Sequence, residues 1–178
     1  EDGWVLESAE LSNQGGAMNA TGATFALGDD ALDRQYRAIL SFNTAGLPDT
    51  AVITSVTLKL RSAGVAGTNP FLTHGNIRVD VRRGAFATTA ALEIQDFQAT
   101  ANQNAAIVIK NNPVNGWYSN TMGAASFVYI NKTGLTQFRL RFAKDDNDDM
   151  SADYLKFHSG NSLTAAYRPA LIIQYYVP

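Results

Sequence analysis

Phe138-Arg-Leu-Arg-Phe142, Lys144-Asp-Asp-Asn-Asp-Asp149 and Tyr154-Leu-Lys-Phe157 follow one another across short gaps, and their order decides the fold class. Phe138, Leu140 and Phe142 recur at period two with Arg139 and Arg141 between them, the pattern of a strand with one face in a core and the other outside. Tyr154 to Phe157 carries a second, shorter strand pattern. Between the two lie Asp145, Asp146, Asp148, Asp149 and Asp153, five carboxylates within nine residues. Like charges gathered in one bend repel one another unless water or a cation screens them.

The same alternation extends outward from this stretch. Tyr36, Ala38, Leu40 and Phe42 share one face of a strand over 35–42, and Val56, Leu58 and Leu60 share one face of a strand over 52–61. Ile77, Val79 and Val81 define another. Trp4–Ser8, Phe25–Leu27, Ala106–Ile109 and Trp117–Ser119 are shorter strands of the same kind. Ala170–Val177 is a continuous apolar run, which predicts a central strand covered on both faces. Asn43–Asp49 and Asn111–Gly116 have the residue types of turns, Ser12–Thr24 reads as a connection, and Ser62–Gly75 reads as a long loop. Ala90–Phe97 predicts one or two helical turns, and Ala124–Ile130 leans helical. Roughly eight to ten short strands separated by turn signals predict an all-β, jelly-roll-like β-sandwich with one or two short peripheral helices. No fixed repeat or linker divides residues 1–178, so a single domain is expected.

Composition narrows the function. A net charge of −2 with 17% charged residues gives no footprint for nucleic acid, and no apolar run approaches a membrane span, so neither partner is expected. Cysteine is absent and there are only two histidines, His74 and His158. That removes thiol nucleophiles and cysteine-bound zinc and leaves oxygen ligands for any metal.

Tyr36-Arg-Ala-Ile-Leu-Ser-Phe-Asn-Thr-Ala-Gly-Leu-Pro48 followed by Ile53-Thr-Ser-Val-Thr-Leu-Lys-Leu60 resembles a family pattern: an Arg-bearing strand ending in Leu-x-Phe, a Leu-Pro turn, and a second strand ending in Leu-x-Leu. Phe157-His-Ser-Gly160 and Tyr167-Arg-Pro-Ala-Leu-Ile-Ile-Gln-Tyr175 are similar to the closing segment of the same family. These are the DNRLRE-type domains, related to disaggregatase-like domains and to carbohydrate-binding modules that recognise acidic polysaccharides such as alginate. Ser159-Gly-Asn-Ser162 stands where that family often has Ser-Arg-Glu-Gly. The resemblance implies a secreted or surface-anchored β-sandwich appended to larger extracellular proteins, and it does not imply catalysis.

Candidate site residues follow from chemistry. Asp145, Asn147, Asp149 and Asp153 occupy positions one, three, five and nine of a calcium-loop spacing, although Met150 stands at the turn glycine and Lys156 at the closing glutamate. The loop therefore either holds calcium in a non-EF-hand geometry or is a solvated acidic hairpin balanced by Arg139, Arg141, Lys144 and Lys156. Asp29, Asp30 and Asp33, followed by Arg34 and Arg37, read as a second acidic cluster on a surface turn. Sugar recognition needs flat aromatic faces with polar groups beside them, for which Trp117 and Tyr118, and Phe71 with Asn69 and His74, are the candidates. Arg78, Arg82 and Arg83 would add the charge that acidic sugars require. No nucleophile motif or specified carboxylate pair points to an enzyme. The expected function is a non-catalytic extracellular or cell-surface module that binds polysaccharide and is stabilised by calcium. The alternative is a structural or adhesive module that self-associates through edge strands at Trp4–Leu6 and Ala170–Val177.

Overall fold

The alternating stretches become strands in a computed structural model, which describes residues 2–178. They are β1 (Gly3–Glu7), β2 (Gly15–Asn19), β3 (Thr24–Asp29), β4 (Gln35–Asn43), β5 (Val52–Ala66), β6 (Ile77–Arg83), β7 (Gln103–Ile109), β8 (Trp117–Thr121), β9 (Leu135–Phe142), β10 (Tyr154–His158) and β11 (Ala170–Tyr176). Among the described residues helix is limited to α1 (Pro70–Thr73) and 3₁₀ turns at Ile94–Phe97, Ala124–Tyr129 and Ala165–Tyr167. No helix among them is long and apolar enough to cross a membrane.

The ladders between named strands are antiparallel, in the order β11-β5-β10-β3-β4-β9-β6-β7, with β1 joining β2 to β4 and β8 lying against β5. The sheet folds over on itself into a jelly-roll-like sandwich that nearly closes as a barrel. Its interior is built from the in-facing members of each alternation: Phe25 and Leu27, Ala38 and Leu40, Val56, Leu58 and Leu60, Ile77, Val79 and Val81, Phe138, Leu140 and Phe142, Leu155 and Phe157. Each large side chain buried there stabilises the fold by about 1.5–3 kcal/mol relative to exposure.

β5 is the strand that turns the sheet. Its first part pairs with β11 and β8, and Ser62–Ala66 pairs with β10 after a register shift in which Lys156 faces Gly64 and Phe157 faces Ser62. Gly64 at that bulge has φ +137°, a conformation open to glycine, and the bulge re-aims the strand.

The opposite face of β1 and β4 is covered as well. Val5 and Ile39 pack with Phe86, Leu92 and Phe97 of the segment 84–102, which lies over the sheet. Arginines of the alternating pattern hold it there. Arg139 donates through Nη1 to the carbonyls of Asp96, Phe97 and Ala99, and through Nε and Nη2 to Asp80. Arg37 donates to the Phe97 carbonyl and lies 3.9 Å from that ring's centroid. Burial, with Arg139 and Arg141 nearby, pushes the Arg37 guanidinium down to about 10.

Three expectations change. The connection 12–24 contains β2, and β5 runs on through what was read as the start of a long loop. β11 is an edge strand rather than a central one: it pairs with β5 alone, and Ile172, Tyr175 and Tyr176 are exposed. β1 sits between β2 and β4, so Trp4–Leu6 offers no edge for pairing between copies.

Candidate functional site

Phe25, Leu27 and Asp29 share one face of β3, and Asp153 shares a face with Leu155 and Phe157, so both carboxylates are delivered to the end of the core. Both are buried, Asp29 completely. The Asp29 amide donates to the Asp153 carbonyl at 3.0 Å, and the Asp153 amide returns a bond to Asp29 Oδ1 at 3.1 Å. The two acidic clusters of the sequence therefore meet. His74, also fully buried, brings Nε2 to 3.2 Å from Asp29 Oδ1, while its Nδ1 lies 2.6 Å from the Thr73 hydroxyl.

The acidic loop closes over this pair. Asn147 Nδ2 donates to Asp149 Oδ2 at 2.9 Å and to Asp153 Oδ2 at 3.4 Å, and the Met150 amide donates to Asp33 Oδ1 at 3.0 Å. Met150, at the position of the turn glycine, has φ +55°. Asp145 is exposed and does not reach the centre. Three of the four balancing cations expected from the sequence are elsewhere: Arg139 and Arg141 both engage Asp80, and Lys156 lies over Tyr154. Burial, followed by Asp145, Asp148 and Asp33, raises the Asp146 carboxyl to about 6. Three buried side-chain atoms among the described residues have no hydrogen-bond partner, namely Asp29 Oδ2, His74 Nε2 and Asn147 Oδ1, and all three belong to this centre.

On the outer face of the same strand ends lies an aromatic cleft. Gly28 pairs with Tyr36 on one side and Tyr154 on the other, and the two rings approach over it with centroids 5.6 Å apart. Trp4 meets Tyr36 edge to face at 5.2 Å. β3 and β4 pair at only two positions before they part, and the opening is a cleft of about 150 Å³ lined by Trp4, Thr24, Ala26, Tyr36, Tyr154 and Lys156 among others. Lys156 Nζ lies 5.6 Å from the Tyr154 ring centroid. Among the described residues, neither tyrosine hydroxyl nor the Trp4 indole N–H has a protein hydrogen-bond partner. Burial, with Asp30 and Tyr154 nearby, raises the Tyr36 phenol above its ordinary range.

The sugar residues expected from the sequence do not converge. Phe71 and Tyr118 stack on each other at 5.4 Å and, with Phe142 and Phe157, close the core, which leaves Tyr118 buried. His74 is buried against Asp29, and Asn69 caps α1 by accepting from the Phe71 amide. Arg78 is on the opposite face of β6 from that core, directly across from Arg141, and Arg82 donates to the Ala85 carbonyl. Trp117 stays half-exposed beneath Lys59 and Arg61, with Arg61 also over Tyr167 at 5.1 Å. It stands apart from the cleft. A larger hollow of about 340 Å³, lined by Phe42, Leu47, Leu171 and Ile173 with Asn43 and Thr44, is aliphatic where it is apolar, apart from the Phe42 ring.

The cleft was not legible as a unit because its members come from β1, β4 and β10, though each aromatic lies in a strand the alternation had found. No protein-family model matches the chain, and no curated protein matches it.

Proposed function

We propose that this chain is a non-catalytic carbohydrate-binding module, and that a pyranose ring docks in the cleft between Trp4, Tyr36 and Tyr154. The observation that carries the proposal is the convergence of three half-exposed aromatic side chains with unpartnered polar tips on one opening. Such rings present flat apolar faces to the C–H side of a sugar, while the two hydroxyls and the indole N–H remain available to its hydroxyl groups. Lys156 at the mouth favours an acidic sugar, since an ammonium beside the ring pairs with a uronate carboxylate. The likeness of the 36–60 and 157–175 segments to DNRLRE-type domains supports the same class and an extracellular or cell-surface setting.

Calorimetric titration with a polyuronate and with a neutral glucan tests the proposal. Saturable heat with the polyuronate is expected, and Tyr154→Ala or Trp4→Ala should weaken binding about tenfold or more, or roughly 1.4 kcal/mol. Absence of saturable heat with every polysaccharide, or binding by both variants as tight as the parent, overturns it. A second reading, assembly between copies, is favoured by the open edge of β11 with Ile172, Tyr175, Tyr176 and Val177 exposed. Concentration-dependent sedimentation that is abolished by Ile172→Lys would support that reading instead.

A further inference from the structure

We infer that the buried centre at Asp29, Asn147 and Asp153 is a binding site for a divalent cation of the hard, oxygen-liganded class, with calcium as the occupant. The inference is independent of the sugar cleft. Acidity alone does not carry it. The second observation is that Asp29, with no solvent exposure, keeps Oδ2 without a hydrogen-bond partner among the described residues.

A buried carboxylate oxygen left unpaired costs of the order of 1–3 kcal/mol or more, and folded proteins rarely leave one so. Four carboxylates border this centre, from Asp29, Asp33, Asp149 and Asp153. Among the described residues no lysine or arginine forms an ion pair with any of them, and the one basic contact is His74 on Asp29. A single imidazole cannot offset that number. A divalent cation can.

Donor chemistry selects the cation. No three His, Asp or Glu side chains among the described residues converge at metal-ligand spacing, so at most two such side chains can serve one ion here and the other ligands must be amide, backbone and water oxygens, a set that zinc does not favour. Two carboxylates with an amide oxygen, completed by backbone carbonyls and water, make a mixed oxygen set of the kind calcium accepts at six to eight positions. The side-chain amide of Asn147 now turns Nδ2 toward Asp149 and Asp153. Rotating that amide by half a turn presents Oδ1 to the same place, so an incoming cation needs a side-chain flip and no backbone rearrangement at Asn147. Asp153 is held for the role by the Thr68 amide, which donates to its Oδ1 at 2.6 Å. Relative to the loop spacing in the sequence, Asn147 and Asp153 remain, the exposed Asp145 and Asp149 drop out, Asp149 meeting only the Asn147 amide, and Asp29 enters from a different strand.

The test follows the melting temperature of chelator-treated protein titrated with calcium chloride, with magnesium chloride and with potassium chloride at matched ionic strength. Calcium at a hundredfold excess over its dissociation constant should raise the midpoint by about 5–10 °C, with one site by calorimetry. Asp29→Asn should abolish the shift. Should that variant fail to fold, Asn147→Ala on the loop should weaken calcium at least tenfold, whereas Asp148→Asn, on the exposed side of the loop, should stay within about threefold. Equal shifts from calcium and matched potassium, no calcium-dependent shift in the parent, or unchanged calcium affinity in Asn147→Ala would each overturn the inference.

Discussion

Replacing Gly28 by alanine probes the point where the two candidate sites touch. Gly28 has φ +130°, and an alanine Cβ there would lie 2.1 Å from the Asp153 carbonyl oxygen and 2.8 Å from the Tyr154 Cα. Ordinary contact begins at 3.4 Å, so β10 would have to recede from β3 by about 1.3 Å. A shift of that size stretches both bonds between Asp29 and Asp153, now 3.0 and 3.1 Å, past hydrogen-bonding distance. Backbone strain of about 1–3 kcal/mol adds to about 1–3 kcal/mol for each buried group left unpaired, which gives a destabilisation of about 4 kcal/mol or more. For a chain of this length that lowers the melting temperature by roughly 10 °C or more. Urea denaturation followed by tryptophan fluorescence measures it, with Gly46→Ala as the comparison, because a Cβ at Gly46 meets nothing within 4 Å. A loss below about 1 kcal/mol for Gly28→Ala would mean that the close approach of β3 and β10 is not what fixes this corner.

Arg139→Met should cost about 3–5 kcal/mol, since it leaves buried Asp80 with only the long Arg141 contact as its ion pair and strands three carbonyls, and hydrogen exchange should rise selectively across 84–102. Asp30 is held below the ordinary carboxylate range because, against burial, the Arg34 side chain and the Leu32 and Arg34 amides bond its charged form. A depressed folded-state value stabilises above the unfolded value near about 4 and is lost as pH falls through the folded one, so the gap in melting temperature between the parent and Asp30→Asn should be full at pH about 6 and close toward pH about 3. Trp117→Ala should leave polysaccharide affinity within about twofold, because Trp117 stands outside the Trp4–Tyr36–Tyr154 cleft, and parallel titration of the two tryptophan variants checks it.

Period-two alternation made the layers of the sandwich legible, because a strand with one buried face must place its apolar residues at every second position. It also carried a signal that composition obscured. Phe25-x-Leu27-x-Asp29 and Asp153-x-Leu155-x-Phe157 each put a carboxylate in phase with the core, yet an aspartate beside Asp30 and Asp33 reads as a surface turn when the cluster is weighed as a whole. Arg37 and Arg139 are in phase with the outer face, where alternation alone predicts solvent. Arg139 is buried and Arg37 half-buried because the segment 84–102 covers that face, a tertiary event that no local pattern in either strand encodes. The continuous run Ala170–Val177 misled in the other direction, for hydrophobicity on both faces describes what a strand could bury and not where in the sheet it lies.

One residue separates the inner carboxylates from the outer aromatic row, since Asp29 follows Gly28 and Asp153 precedes Tyr154, and neighbours in a strand point to opposite faces. A cation that fixes Asp29 and Asp153 therefore fixes the backbone under the Tyr36–Tyr154 ring pair without touching it. Narrowing the range of ring spacings removes an ordering cost from sugar binding, so calcium should tighten polysaccharide affinity through restraint alone. Linkage makes the effect reciprocal: the factor by which calcium strengthens the polysaccharide must equal the factor by which the polysaccharide strengthens calcium. Titrating each ligand in the presence and absence of the other measures both legs of the cycle. Two factors equal to each other but indistinguishable from one would leave both sites standing and refute their coupling, whereas a shared factor of about five or more, lost in Asp29→Asn but kept in Trp117→Ala, would place the connection in the Gly28–Asp29 and Asp153–Tyr154 steps.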